Sequence, residues 1–302
     1  MEWNMDRLTV FIMSLLSFKG IGNQTVLYYL RENKDRQKNL SYSELKKTRN
    51  FKIKKLINEK VISDTSFKDA QTNSLKKFKD SIKKNIEIIN YFDDKYPRRL
   101  KNMSNRPVLL YLKGNIDLLN SDNTLAIVGT RSPNKNSLFW VSNTTSELMS
   151  DFVIISGLAK GIDTAVHENV VNGLKQTISI LGQGLDMPTY PYENRDLANK
   201  IVETGGLLVS TYPNGTKVYS HNLAARDEWQ SALSDGLIVA ETGMRSGTTN
   251  TINFALQQNK EIMIFDDKEL SGNQFFLNDS RIKPVSDSTA IKKVMSERFQ
   301  HD

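Results

Sequence analysis

The feature that most constrains this chain is an alternation that begins at Thr124: short apolar runs of strand length, separated by helical segments. The runs fall at residues 125–128, 153–155, 177–181, 207–209, 237–239 and 262–265, and the helical segments include 137–149, 161–172, 195–203 and 249–258. Strands that read as almost wholly apolar must be covered on both faces, which argues for a parallel sheet between two helical layers. The expected fold is therefore α/β: a Rossmann-like, doubly wound and mostly parallel sheet. In such sheets ligands bind beyond the carboxyl ends of the strands.

Upstream the pattern differs. Residues 7–30 read as two short amphipathic helices around Lys19-Gly20-Ile21-Gly22, residues 85–90 as a strand, and Asp93-Asp94-Lys95-Tyr96-Pro97 as a turn. The expected division is a small helical N-terminal domain over 1–82, of helix-hairpin-helix or SAM-like type, and the core with its lead-in over 83–302. The shift into the strand–helix pattern is placed in the polar stretch 114–123. A Gly-apolar-Gly turn either faces a phosphate with its N–H groups or simply joins packed helices. Both readings stay open.

Charge divides along the same line. The first 120 residues hold 25 of the 41 Lys and Arg but 13 of the 34 Asp and Glu, a balance of +12, which leaves −5 for the remainder. A basic module beside a mildly acidic one fits a polyanion partner, or equally a solvated lysine-rich surface. The chain has no cysteine, which removes disulfides, thiolate zinc sites and cysteine nucleophiles. With only His167, His221 and His301 as histidines, neither a metal nor another cofactor is expected. The apolar stretch 8–16 follows Glu2, Asp6 and Arg7 rather than a basic leader, and no run reaches the roughly 20 residues of a membrane span. A cytoplasmic protein with no membrane association is expected.

Three strand ends open into loops rich in glycine and hydroxyls: Gly129-Thr130-Arg131-Ser132, Ser156-Gly157-Leu158-Ala159-Lys160-Gly161, and Ser246-Gly247-Thr248-Thr249. Glycine lets the backbone approach a ligand, N–H groups at a helix start attract anions, and Arg131 and Lys160 add charge. Three such loops on one sheet edge point to a phosphorylated ligand. Neither the G-x-G-x-x-G fingerprint nor a P-loop is present. Asp163 and His167 lie four apart on one helix face without a nucleophile beside them, so Asp163 reads as a brace for its loop and His167 as packing. Glu241 follows a strand end but has no carboxylate partner by spacing, and Asp266-Asp267 reads as a solvated turn. No enzymatic activity is expected.

These loops, in order, resemble the DprA/Smf family of DNA-processing proteins. The resemblance runs through Ala126-Ile127-Val128-Gly129-Thr130-Arg131, Ile155-Ser156-Gly157-Leu158-Ala159-Lys160-Gly161-Ile162-Asp163, Leu181-Gly182-Gln183-Gly184-Leu185-Asp186, Tyr190-Pro191 with Glu193-Asn194, and Ser246-Gly247-Thr248. It is close over roughly residues 85–275 and loose in the N-terminal helices. It implies a Rossmann-like core that binds single-stranded DNA, forms a homodimer and loads a RecA-type recombinase in natural transformation. By position, Arg131 and Lys160 would pair with phosphates, the backbones of Ser156, Gly157, Gly161, Ser246, Gly247 and Thr248 would cradle them beside Gly129 and Thr130, and Arg226 would add charge from a loop after Tyr212-Pro213. Tyr190, Tyr192 and Tyr212 are candidates for base stacking, or equally for core or turn packing.

The chain also departs from the family. Where members read F-P-x-R-N-R, it has Leu223-Ala224-Ala225-Arg226-Asp227-Glu228, which sets two acids beside the expected pocket, and Trp229 and Gln230 stand at aliphatic positions. It ends soon after the core, so the C-terminal winged-helix module of some members is expected to be absent. The alternative class is a nucleotide-binding enzyme or sensor related to the Rossmann phosphoribohydrolases, with anti-phage defence as one setting. That group's P-G-G-x-G-T-x-x-E signature carries a catalytic glutamate, and Thr251 occupies its place here.

Overall fold

The computed structural model describes residues 2–32 and 39–299. His301 lies outside them. The chain divides into two compact units between Tyr111 and Leu112.

The first unit opens with α1 (Glu2–Leu16) and α2 (Asn23–Glu32), joined through Gly20 at φ +97°. Phe11 of α1 stacks on Tyr29 of α2 with ring centroids 5.9 Å apart, and meets Phe67 edge-on at 5.6 Å. Phe67 belongs to α5 (Asp64–Lys83), which follows α3 (Tyr42–Lys46) and α4 (Phe51–Asn58). Each of α3, α4 and α5 starts at a residue whose side chain accepts a backbone N–H of the first turn: Ser41, Asn50 and Ser63. β1 (Glu87–Asn90), α6 (Arg98–Lys101) and β2 (Leu109–Gly114) complete the lead-in, and buried Tyr96 donates its hydroxyl to the Pro107 carbonyl at 2.5 Å.

The second unit holds the alternating pattern: β3 (Thr124–Val128), α7 (Lys135–Leu148), β4 (Val153–Ser156), α8 (Ile162–Asn172), β5 (Thr177–Leu181), α9 (Arg195–Glu203), β6 (Leu207–Ser210), α10 (Ser220–Leu233), β7 (Gly236–Val239), α11 (Gly247–Gln257), β8 (Glu261–Phe265), α12 (Ser271–Phe276), β9 (Ile282–Val285) and α13 (Ser288–Phe299). The strands lie in the order β6-β5-β4-β3-β7-β8-β9, and every one of these pairings is parallel. β3 and β5 are buried along their whole length, β5 including its Thr177 and Ser179. One face packs on Trp140 and Leu148 of α7, Val166 and Val170 of α8, and Ile291 and Met295 of α13. A separate cluster around Leu158, Leu197, Ile201 and Leu208 fills the β5–β6 end.

The chain runs outward from β3 to β6, then returns to the other side of β3 with β7. That reversal leaves the β3 and β7 carboxyl ends side by side, in register from Leu125 with Gly236 to Val128 with Val239. A crevice at such a reversal is where doubly wound sheets bind ligands.

Among the elements that the sequence did not mark are β9 and α10. β9 ends the sheet with Ile282-Lys283-Pro284-Val285, and an edge strand tolerates both the lysine and the proline. α10 replaces the loop that was expected to carry Arg226. Its buried face includes Asn222, Arg226, Trp229, Gln230 and Leu233, so the stripe recurs at helical spacing but is largely polar, and no apolar period announces it.

Candidate nucleic-acid interface

A cleft of about 640 Å³ opens at the reversal. Gly129, Thr130 and Arg131 line it from the β3 end, Ser246, Gly247 and Thr248 from the start of α11, and Arg226, Asp227 and Gln230 from α10. Sequence reasoning placed the first six of these together, and the fold places them together. Gln230 and Ser220 also line the cleft and were not anticipated, because both ride on the helix that the sequence did not reveal.

The start of α11 is built to present N–H groups. Thr249 Oγ1 accepts the Ser246 N–H at 3.2 Å, and Ser246 Oγ lies 2.8 Å from Thr242 Oγ1. Gly247 and Thr248 occupy the first turn, where backbone N–H groups have no intrahelical acceptor, and a side chain built on Gly247 would meet nothing within 4 Å. The positive end of the helix dipole therefore faces open space, an arrangement suited to an anion. The exposed guanidinium of Arg131 stands at the other lip.

The second loop is organised differently from the expectation. Ser156 is wholly buried and donates its hydroxyl to the Ile127 carbonyl at 2.7 Å. The N–H groups of Gly157 and Ala159 donate to Asp163 Oδ2, at 3.1 and 3.2 Å. The loop thus does form an anion cradle, and the anion in it is the carboxylate of Asp163. Gly161 turns into α8 at φ +78°, and a Cβ there would lie 2.5 Å from the Thr130 carbonyl, so the loops after β3 and β4 touch only because residue 161 is glycine. Lys160 lines a smaller adjoining hollow with Gly157, Tyr190 and Arg131, and its ammonium pairs with Glu193 at 2.5 Å.

Arg226 is the buried cation of the site, 5% exposed. Its Nη1 lies 3.7 Å from Asp163 Oδ2 and its Nε 3.3 Å from Asp227 Oδ1. Neither nitrogen makes an aligned hydrogen bond among the described residues. Gly157 makes room for it, since a Cβ at that position would sit 1.0 Å from Nη1. Burial pushes the Asp163 carboxyl above the ordinary carboxylate range, opposed by Arg226 and by the Ala159 and Gly157 N–H groups. Burial likewise pushes Asp227 up to about 7, opposed by Arg226 and, less strongly, by Arg131. His167 is packed, its Nδ1 3.0 Å from Thr177 Oγ1, and burial holds its imidazole down to about 3.

The remaining residues also have structural explanations. Glu241 accepts the Asn134 N–H at 2.9 Å, at the start of α7. Asp266 pairs with Lys268 at 2.9 Å, and among the described residues no cluster of His, Asp and Glu could hold a metal ion. Tyr212 leans its hydroxyl on the Asn222 carbonyl at 3.4 Å, while Tyr190 and Tyr192 are exposed, with the Arg195 guanidinium 4.2 Å over the Tyr192 ring. No helix among the described residues is long and apolar enough to cross a membrane.

A family model described as DNA recombination-mediator protein A matches residues 87–293. The chain is 37% identical over 180 residues to DNA processing protein DprA of Streptococcus pneumoniae, covering 60% of this chain and 63% of that one. It is 33% identical over 178 residues to DNA processing protein DprA of Bacillus subtilis, covering 59% of each. The chain spans about half to two thirds of the length of the curated relatives it matches. The X-ray structure of the Streptococcus pneumoniae protein superposes with a TM-score of 0.76 at 27% identity, over 94% of this chain and 97% of that one. The fold is also that of DNA processing protein A from Helicobacter pylori, whose structure addresses its single-stranded DNA binding mode: TM-score 0.64, 24% identity, 70% of this chain and 96% of that one. On the family match over residues 87–293, the chain belongs to the DNA recombination-mediator protein A family.

Proposed function

We infer that the chain binds single-stranded DNA through the cleft at the β3–β7 reversal and assists its transfer to a RecA-type recombinase, acting as a cytoplasmic homodimer without chemical catalysis. The observation that carries this reading is that Arg131 and the open first turn of α11 line one cleft. A backbone phosphate fits between a free guanidinium and N–H groups with no intrahelical acceptor. Exposed Tyr190, which lines the same cleft, offers a face on which a base can stack. Against a phosphoribohydrolase stands buried Thr251, which lines the cleft where that chemistry needs a glutamate.

The test is fluorescence anisotropy of a labelled poly-dT oligonucleotide across a salt series. Binding should weaken steeply with salt, and Arg131→Ala should weaken it further and reduce the slope by about one. No binding by the wild-type chain at low salt would overturn the reading. The homodimer is checked by sedimentation velocity, and the recombinase partnership by filament assembly on DNA with and without the protein.

A further inference from the structure

The cation best placed to bind phosphate in this cleft is already engaged. Arg226 lies at the cleft wall with a carboxylate on either side, Asp163 at 3.7 Å and Asp227 at 3.3 Å. The two acids differ. Asp163 is fixed, holding the N–H groups of Gly157 and Ala159 as well. Among the described residues no side-chain hydrogen bond fixes Asp227, which lines the open cleft and sits one residue along α10 from the arginine it contacts. Meanwhile Nε and Nη1 of Arg226, nine-tenths buried, have no aligned acceptor among the described residues. A phosphate oxygen entering from the cleft is the acceptor this geometry lacks, and the Asp227 carboxylate stands where that oxygen's charge would be.

We propose that Asp227 is an internal anion that competes with ligand phosphate for Arg226, and so sets the affinity of the cleft for polyanions. The proposal rests on the cleft being the DNA site and adds what limits binding there. The charged groups facing Asp227 are Arg226 on its own helix, Asp163 from α8, and Arg131 from the loop after β3. The net charge among these four groups is zero when both acids are ionised, and positive once Asp227 takes a proton. Burial raises Asp227 to about 7, so its ionised form dominates above neutrality and its neutral form below. If phosphate binds only beside the neutral form, apparent affinity scales with that fraction, and it falls about tenfold between about pH 6 and about pH 8.

The experiment compares wild type with Asp227→Asn, which keeps the shape and removes the charge. Anisotropy with poly-dT is read at both pH values, and calorimetric titration with inorganic pyrophosphate is run in parallel. The expected result is that wild type loses about tenfold in affinity on going to the higher pH, whereas Asp227→Asn keeps its low-pH affinity at both. Asp227→Ser serves as a second variant should the amide misfold. Equal pH dependence in wild type and variants, or no gain at the higher pH, overturns the competition. If the oligonucleotide binds but neither ligand gains from the substitution, the DNA reading stands and this proposal fails. If pyrophosphate alone binds and gains, the competition stands and the DNA reading fails. Absence of binding by both ligands sinks both.

Discussion

At the scale of single residues, the stability of the site turns on one buried guanidinium. Removing a partner from a buried ion pair leaves the other charge uncompensated, at a cost of about 3–5 kcal/mol. Arg226→Met should therefore destabilise the protein by about that much in urea denaturation, because Asp163 is left buried without its counter-charge. Pairing it with Asp163→Asn should recover most of the loss, and a double variant no more stable than the single would refute the coupling. Asp227 gives a second signature. Its folded pKa, raised to about 7, means the native state binds a proton the unfolded chain has already lost. Stability contributed by that proton is present below the ordinary aspartate pKa and is lost as pH rises through the folded value. Asp227→Asn should thus melt at a higher temperature than wild type near pH 8, with the difference closing near pH 4. An unchanged difference across that range in calorimetry would show that burial does not raise Asp227.

Among the elements, α11 and α10 carry the site by opposite means. α11 presents backbone, and its first turn depends on the Thr249 hydroxyl that holds Ser246 in place. Thr249→Val should cost about 1 kcal/mol of stability, as the loss of a helix cap does, and should also weaken oligonucleotide binding by fraying the turn that holds Gly247 and Thr248. A loss of stability with no loss of binding would place the phosphate elsewhere. α10 presents side chains, and this is why it escaped detection. A helix that packs Asn222, Arg226 and Gln230 inward shows no hydrophobic stripe. By contrast α9 begins and ends where the sequence placed it, at Arg195 and Glu203, because its apolar positions Leu197, Ala198 and Ile201 all face the core.

For the molecule as a whole, what could be read in advance was what burial writes into composition. β3, β5 and β7 are legible because both faces of the sheet are covered, and from them follows the sheet edge on which the first and third loops converge. What could not be read was long-range pairing. That Asp163 braces its loop is legible nearby, but not that it takes the Gly157 and Ala159 N–H groups in place of a ligand. Lys160 looks free in sequence, yet its partner Glu193 lies 33 residues away. Asp227 reads as a simple repellent beside a pocket until α10 sets it against Arg226. The sequence marks loops capable of holding anions, and only the fold distinguishes the cradle that is filled from the one that is open.

The last strand has a bearing on self-association. Val285 of β9 accepts the Asp266 N–H through its carbonyl at 3.0 Å. Backbone groups alternate sides along a strand, so the neighbouring Pro284 turns its ring nitrogen outward and offers no donor to anything alongside. Lys283, whose ammonium pairs with Glu261 of β8 at 3.0 Å, adds a charged side chain to that margin. A flat ribbon of copies stitched together through β9, the route by which open sheets polymerise, is therefore barred. Extending the sheet at that margin is not a route by which a second copy of this chain would join it.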